Sequence, residues 1–183
     1  MPDINIYSIG HGNKEIDTFI EELKSFNIEF LIDVRSIPYS KYNPQYNKES
    51  LQSDIEKESI KYIYMGDSLG GMPKDPTCYI NEKADYNIIK DKKFFKDGIK
   101  RLIKAKEKKF TVAVMCSESK PEVCHRSKLI GQELLKYDVN MKHIISRDIE
   151  NDQHTVMKNL LKGKDEIDLF GNKTGFTSRK KIK

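Results

Sequence analysis

Two thiols, an imidazole and a guanidinium crowd into one short stretch, Cys116-Ser-Glu-Ser-Lys-Pro-Glu-Val-Cys124-His125-Arg126-Ser127. Cys116 stands where the apolar run FTVAVM (110–115) ends. Cys124 to Ser127 stand where a helix over about 124–136 begins, carried by Leu129, Ile130, Leu134 and Leu135. A thiol beside a helix N-terminus and a cation is pushed toward thiolate. Free backbone N–H groups at such a start also bind oxyanions, and Arg126 adds a two-pronged contact to phosphate, sulfate or carboxylate. These are the parts of a cysteine nucleophile loop. The plain alternative is that Cys116 is a small buried hydrophobe at a strand end. Between the two thiols, the sheet fixes Cys116 more rigidly, while the helix start favours ionisation of Cys124. Misplacing a reacting atom can cost ~100-fold in rate, against ~0.3–1 kcal/mol for a dipole, so Cys116 is the expected nucleophile.

Further polar residues fit the same site. His11, flanked by glycines in Gly10-His11-Gly12-Asn13, is an expected acid–base or orienting group beside Cys116 and Arg126, or else a capping residue. Arg35 follows the apolar run FLIDV (30–34), where a charge needs a ligand or Asp33. Arg35, Ser36, Tyr46, Cys124, His125 and Ser127 are the expected substrate contacts. Tyr39, Tyr42 and Tyr46, interleaved with Arg35 and Lys41, could stack on a base or simply pack an ordered loop. Cys116, Cys124, His125 and His11 offer soft ligands for zinc or iron. Their spacing is not that of common zinc modules, and neighbouring residues on a helix point about 100° apart. The reading therefore assigns no metal and no cofactor, with a Cys/His metal site as an alternative. A reversible Cys116–Cys124 disulfide is open if the Cα atoms approach to ~6 Å. Cys78 looks incidental, His143 a core or sheet residue, and His154 a surface one.

These residues need strands and helices to bring them together. A β-prone run at 4–9 ends on Gly-His-Gly, and Asn13 can cap a helix bearing Ile16, Phe19, Ile20, Leu23 and Phe26 at helical spacing. FLIDV reads as a strand covered on both faces. The loop 35–47 follows, then a helix capped by Asn47 with Leu51 and Ile55 on one face. IKYIYM (60–65) is a third strand before a Gly/Pro-rich segment at 66–76. A helix over 91–108 carries Phe94, Phe95, Ile99, Leu102 and Ile103. FTVAVM is the strongest strand, MKHII (141–145) another, and 148–161 a final helix. Such alternation predicts an α/β fold with a mostly parallel sheet and helices on both faces. Ligands of such sheets sit beyond the strands' C-terminal ends, which selects the loops carrying His11, Arg35 and Cys116.

Composition bounds the rest. The chain has 183 residues, of which 37% are hydrophobic and 33% charged, which suits one globular domain. No run approaches the ~20 apolar residues of a membrane span, no signal pattern opens the chain, and three cysteines make no simple disulfide framework. The expectation is a cytoplasmic protein without a membrane partner. Of 33 basic residues, five (Lys173, Arg179, Lys180, Lys181, Lys183) lie in 171–183 without an acid, leaving 28 basic and 28 acidic residues elsewhere. The net charge of +5 thus belongs to a tail. Residues 1–165 are read as a single α/β domain and 166–183 as a basic, solvated tail, with weak polyanion binding as the other reading. The expected partner is a small anionic ligand, with nucleic acid possible through Arg35, Lys41 and the tail.

Two resemblances run through these motifs. FLIDV-Arg35-Ser36-Ile37-Pro38, and a strand, a cysteine and Arg126-Ser127 opening a helix, resemble rhodanese-like domains. That resemblance implies a rhodanese-like outline with Cys116 as a persulfide-carrying or phosphate-attacking thiolate. The loop from Cys116 to Arg126 is markedly longer than theirs and holds a second cysteine. Over about 6–145 the chain more closely resembles the uncharacterised family called domain of unknown function 488. This rests on Ser8-Ile9-Gly10-His11-Gly12-Asn13, Asp33-Val34-Arg35-Ser36 with Pro38 and Pro44-Gln45-Tyr46, Leu69-Gly70-Gly71, Met115-Cys116 and Cys124-His125-Arg126-Ser127. The family name implies no activity. The residues themselves leave cysteine chemistry on an anionic or sulfur-bearing substrate, a nucleotide or nucleic-acid binding module, and a metal site as readings.

Overall fold

In the computed structural model, residues 6–161 and 175–182 are described. Residues 4–5 of the expected first strand and most of the expected tail, including Lys173 and Lys183, lie outside them. In chain order the elements are β1 (Ile6–Gly10), α1 (Ile16–Ser25), β2 (Phe30–Asp33), α2 (Lys48–Lys57), β3 (Lys61–Tyr64) and α3 (Gly66–Leu69). Next come β4 (Tyr79–Ile80), β5 (Lys83–Asp85), α4 (Tyr86–Asp91), α5 (Lys93–Glu107) and β6 (Val112–Cys116). A π-helical turn, Arg126–Gly131, leads into α6 (Gln132–Leu135), followed by β7 (Lys142–Ser146), β8 (Ile149–Asp152), α7 (Gln153–Leu161) and β9 (Thr177–Lys181).

The main sheet has the order β3-β2-β6-β1-β7-β8. Its first five strands run parallel, and β8 pairs antiparallel with β7. β6 is buried at every residue because both its faces are covered. On one face Ala113 and Met115 pack with Ile9, Leu31 and Ile144 under Phe19 and Leu23 of α1 and Leu51 and Ile55 of α2. On the other, Val112, Val114 and Cys116 pack with Ile6 and Val34 under Leu69, Phe95, Ile99, Leu102 and Leu134 from α3, α5 and α6. This is the predicted α/β layering, with helices on both faces.

Side chains outside the repeating pattern account for the local departures. α1 starts at Glu15 rather than Asn13, with no side-chain cap. Asn47 does precede α2, but its Oδ1 accepts the Ser40 N–H across the loop instead of capping. The expected helix over 91–108 is preceded by α4, whose N-cap Asp85 accepts from Asn87 and Ile88. The expected last helix begins only at Gln153, because 149–152 turn back on β7 as a strand.

The C-terminal segment departs most. Thr177–Lys181 pair with β5 in a second, three-stranded antiparallel sheet ordered β4-β5-β9. Phe176 packs against the core, and Ser178 Oγ accepts the Ala84 N–H at 3.0 Å. This stretch is therefore a sheet strand and not the solvated tail the charge pattern suggested. Its outward lysines are the usual guard of an edge strand.

Candidate functional site

β1 and β6 are neighbours whose chains leave in opposite directions. β1 feeds α1 on one face, and β6 feeds the π-helical turn and α6 on the other. Such a switch point opens a crevice beyond the strand ends. Gly10 stands level with Cys116, and the ladder continues past both strands through His11 N–H to Cys116 O at 3.0 Å and Gly12 N–H to Ser117 O at 3.0 Å. His11 and Cys116 thus share one edge, although strand alternation sends their side chains to opposite faces.

The Cys116 face is built by the returning loop. Cys124 is extended (φ −103°, ψ 151°), and helical backbone begins only at His125. The divergence expected of neighbours on a helix therefore does not apply, and both side chains turn toward Cys116. His125 Nε2 lies 3.1 Å from Val34 O; a carbonyl only accepts, so Nε2 carries the hydrogen. That leaves the Nδ1 lone pair facing Cys116 Sγ at 3.8 Å and Cys124 Sγ at 3.7 Å. Two glycines make the approach possible. A Cβ on Gly71 would sit 2.7 Å from the His125 ring, and one on Gly10 would sit 2.0 Å from Glu118 O.

Arg126 is completely buried. Its Nε donates to Cys124 Sγ at 3.2 Å, NH1 to Ser8 Oγ at 3.3 Å and NH2 to Glu118 O at 2.5 Å. Behind it runs a polar chain whose direction is determined. Gln153 Nε2 donates to Ser127 O, so Gln153 Oε1 is the acceptor facing His143 Nε2 at 2.8 Å. His143 therefore carries its hydrogen on Nε2, and its Nδ1 accepts the Ser8 hydroxyl at 2.6 Å. Ser8 Oγ is left to accept from Arg126. Burial, reinforced by Arg126, lowers the His143 pKa to about 4, so the ring is neutral.

The thiols respond to this arrangement. Burial alone would raise Cys124, but the hydrogen bond from Cys116 and the Arg126 guanidinium together hold it well below the usual thiol range. Cys116, donating to Cys124, buried and facing its negative charge, is pushed well above that range. The charge of the pair belongs on Cys124, the thiol the sequence favoured for ionisation, and not on Cys116, the expected nucleophile. Cys116 is the more exposed residue of the two, at 6% against 1%.

The opposite face is organised differently. Asp33 Oδ1 accepts Arg35 Nε at 2.9 Å and its backbone N–H at 3.0 Å, while Oδ2 accepts Arg35 NH2 and the Tyr62 hydroxyl, both at 2.6 Å. Arg35 NH1 donates to Tyr46 O at 2.7 Å. All three guanidinium nitrogens are thus engaged within the protein, which favours the Asp33 network over a ligand contact. Tyr46, fully buried, stacks on His11 at 4.0 Å. His11 Nδ1 donates to Gly12 O at 2.8 Å, and its buried Nε2 has no partner. Burial lowers this imidazole to about 4, an effect offset in part by the Gly12 bond and reinforced by Arg35.

The remaining candidates tie loops together. Ser36 Oγ accepts the Met72 N–H at 3.0 Å, and Ser127 Oγ donates to Pro121 O at 2.5 Å. Tyr39 and Tyr42 are exposed, with the Lys41 ammonium 4.9 Å above the Tyr42 ring. Cys78 is a core residue. His143 is the core sheet residue expected of it, but its polar chain with Ser8 and Gln153 was not foreseen. A polar residue inside each of two apolar strands, Ser8 in β1 and His143 in β7, was the available signal, since buried polar groups require partners; Gln153, at the start of α7, carried none. A surface groove of about 460 Å³, lined by Asp17, Ile20, Glu21, Lys24, Ser25, Glu58 and Arg147, holds none of these residues.

Fold and site together define an α/β protein with a buried Cys/His cluster at the C-terminal edge of a mostly parallel sheet. Residues 15–132 match the family described as Domain of unknown function DUF488, and the chain belongs to that family. The match begins just after the Gly-His-Gly segment and ends in α6. No curated protein and no solved structure matches the chain. The rhodanese-like resemblance therefore rests on the two short segments alone. Among the described residues, no helix is long and apolar enough to cross a membrane.

Proposed function

We propose that the protein carries out cysteine-dependent chemistry on a small anionic or sulfur-bearing substrate, with Cys116 as the sulfur that meets it. The observation that carries this reading is the arrangement of Cys116, Cys124 and His125 around a shared centre, with Arg126 donating to the second sulfur. A thiol, a base with its lone pair turned toward it and a group orienting that base are the recurring parts of an activated nucleophile. Here the base is His125 Nδ1 and the orienting group is Val34 O. As Cys116 bonds to the substrate, its proton passes to His125 Nδ1 or to Cys124 and the substrate's leaving group departs. Arg126 stabilises negative charge on the sulfur pair.

The test is alkylation of the reduced, metal-free protein with one equivalent of iodoacetamide at neutral pH, mapped by peptide mass. Cys116 is expected to react first and Cys78 to be spared. Arg126→Met should slow the reaction about tenfold or more, because a hydrogen bond to a charged group contributes about 1.5–3 kcal/mol. Alkylation of all three cysteines together, only once the protein unfolds, would overturn the proposal.

A further inference from the structure

We propose that Cys116 Sγ, Cys124 Sγ and His125 Nδ1 form a three-ligand site for a soft or borderline divalent cation, of which Zn²⁺ is the representative. This goes beyond the thiol chemistry above and does not depend on it; a bound cation would hold both sulfurs and block alkylation.

The separations suit a bound cation. The three ligand atoms all lie within 4.8 Å of one another, and all three residues are buried. A tetrahedral zinc with Zn–S of about 2.3 Å and Zn–N of about 2.05 Å places sulfur about 3.6 Å from nitrogen. The two observed sulfur–nitrogen separations are 3.8 and 3.7 Å. Both sulfur–nitrogen separations thus lie within a few tenths of an ångström of the tetrahedral value, and the two sulfurs, within 4.8 Å of each other, need at most to close toward about 3.8 Å.

The histidine tautomer suits it too. Donation of Nε2–H to Val34 O fixes the ring's orientation and leaves Nδ1 as the free donor atom. A ligating histidine ordinarily has this support on its other nitrogen, from a carbonyl or carboxylate. Cys124 has its own outer partner in Arg126 Nε. Two thiolates and a neutral imidazole balance a dication, and N–H···S donation from Arg126 lowers the charge density on Cys124 without displacing the metal.

The donor set is selective as well. The ligand atoms are sulfur and nitrogen; of the carboxylates near this edge, Asp33 is turned to the opposite face and saturated by Arg35 and Tyr62, and Glu118 Oε1 is paired with Arg179 at 2.9 Å. Such a set suits Zn²⁺ and disfavours Mg²⁺ or Ca²⁺, which take oxygen ligands. Three protein ligands leave a fourth position, the pattern of zinc sites that bind water or a substrate atom.

The experiment titrates reduced, metal-free full-length protein with Zn²⁺ against a chromophoric chelator. One equivalent should bind. Cys116→Ser, Cys124→Ser and His125→Gln should each weaken it by roughly 100-fold or more, since even outer-shell partners are worth 10–100-fold. Cys78→Ala should bind like the parent. X-ray absorption of the zinc-loaded parent protein needs no variant to fold, and should show two sulfurs at about 2.3 Å and a nitrogen at about 2.0–2.1 Å. Unchanged binding in the Cys116→Ser, Cys124→Ser double variant, or a shell without sulfur, would overturn the site. So would the absence of stoichiometric binding.

Discussion

The two faces of one strand edge hold polar groups of opposite character. On the α1 side, the Asp33 carboxylate and Arg35 guanidinium satisfy each other with help from Tyr62 and Tyr46, at distances of 2.6 to 2.9 Å. On the α6 side, two sulfurs and an imidazole nitrogen face one another at 3.7 to 3.8 Å, and the short bonds belong to the groups behind them. The first cluster is a closed ion pair whose partners have little left to offer a ligand. The second is a set of polarisable donors supported from outside and unsaturated at its centre. Buried charge adjacent to a site is thus no guide to which groups react; what matters is whether their valence is already used.

The sharpest way to break this comparison is to open the closed half. Asp33→Ala leaves Arg35, itself 5% exposed, buried without its counter-charge. Removing one partner of a buried pair costs about 3–5 kcal/mol, a large share of the ~5–15 kcal/mol that holds a domain together. The denaturant midpoint should fall accordingly, while Cys116 in the folded fraction keeps its alkylation rate. A loss under ~1 kcal/mol would mean that Arg35 finds another partner and that this half is not closed.

Acid probes both halves together. His11 and His143 are each held at about 4, below the ordinary 6.5, chiefly by burial. A histidine depressed in the folded state contributes stability that is whole above the unfolded pKa and is lost as pH falls toward the folded one. Stability should therefore decline between about pH 6.5 and 4, by up to the order of 3 kcal/mol for each ring. Denaturant titrations at pH 7, 5.5 and 4.5 measure this, and His143→Gln should flatten the slope. A level profile across that window would show that one or both rings escape to solvent before protonating.

The layering was legible because it depends on periodicity. The continuous apolar runs of β2 and β6 and the helical spacing of Phe19, Leu23, Phe95, Ile99 and Leu102 state which surfaces are covered. The edge carrying His11, Arg35 and Cys116 followed from the parallel topology. What escaped was set by single-residue backbone geometry and by long-range pairing. Nothing in the order Cys124-His125 says that Cys124 is extended, yet that one conformation lets both residues face Cys116. The link from Ser8 to His143 joins segments 135 residues apart that meet only once β1 and β7 pair, and Gln153 reaches His143 only once β8 folds back on β7. β9 was hidden for a similar reason: its lysines and arginine read as solvated charge, and its partner β5 is itself only three residues long.

The smallest expected effect tests whether the C-terminal strand reaches the reactive half. Arg179 NH2 contacts Glu118 Oε1 at 2.9 Å, and Glu118 lies in the loop between the two cysteines, with its backbone carbonyl holding Arg126. The arginine is 56% exposed and the carboxylate 25%, so this is a largely solvated pair. Such pairs contribute about 0–1 kcal/mol and weaken with salt as the screening length shortens to ~8 Å near physiological ionic strength. The loop's position depends instead on the Glu118 carbonyl, the Ser127 hydroxyl on Pro121 and the absence of a side chain at Gly10, none of which involves the strand. Arg179→Ala should therefore change the denaturation midpoint by less than ~1 kcal/mol, with Cys116 alkylation unaltered at low and high salt. An alkylation rate that changes severalfold, and does so only at low salt, would instead make this ion pair part of what holds the loop over the sulfurs and would couple the two sheets through it.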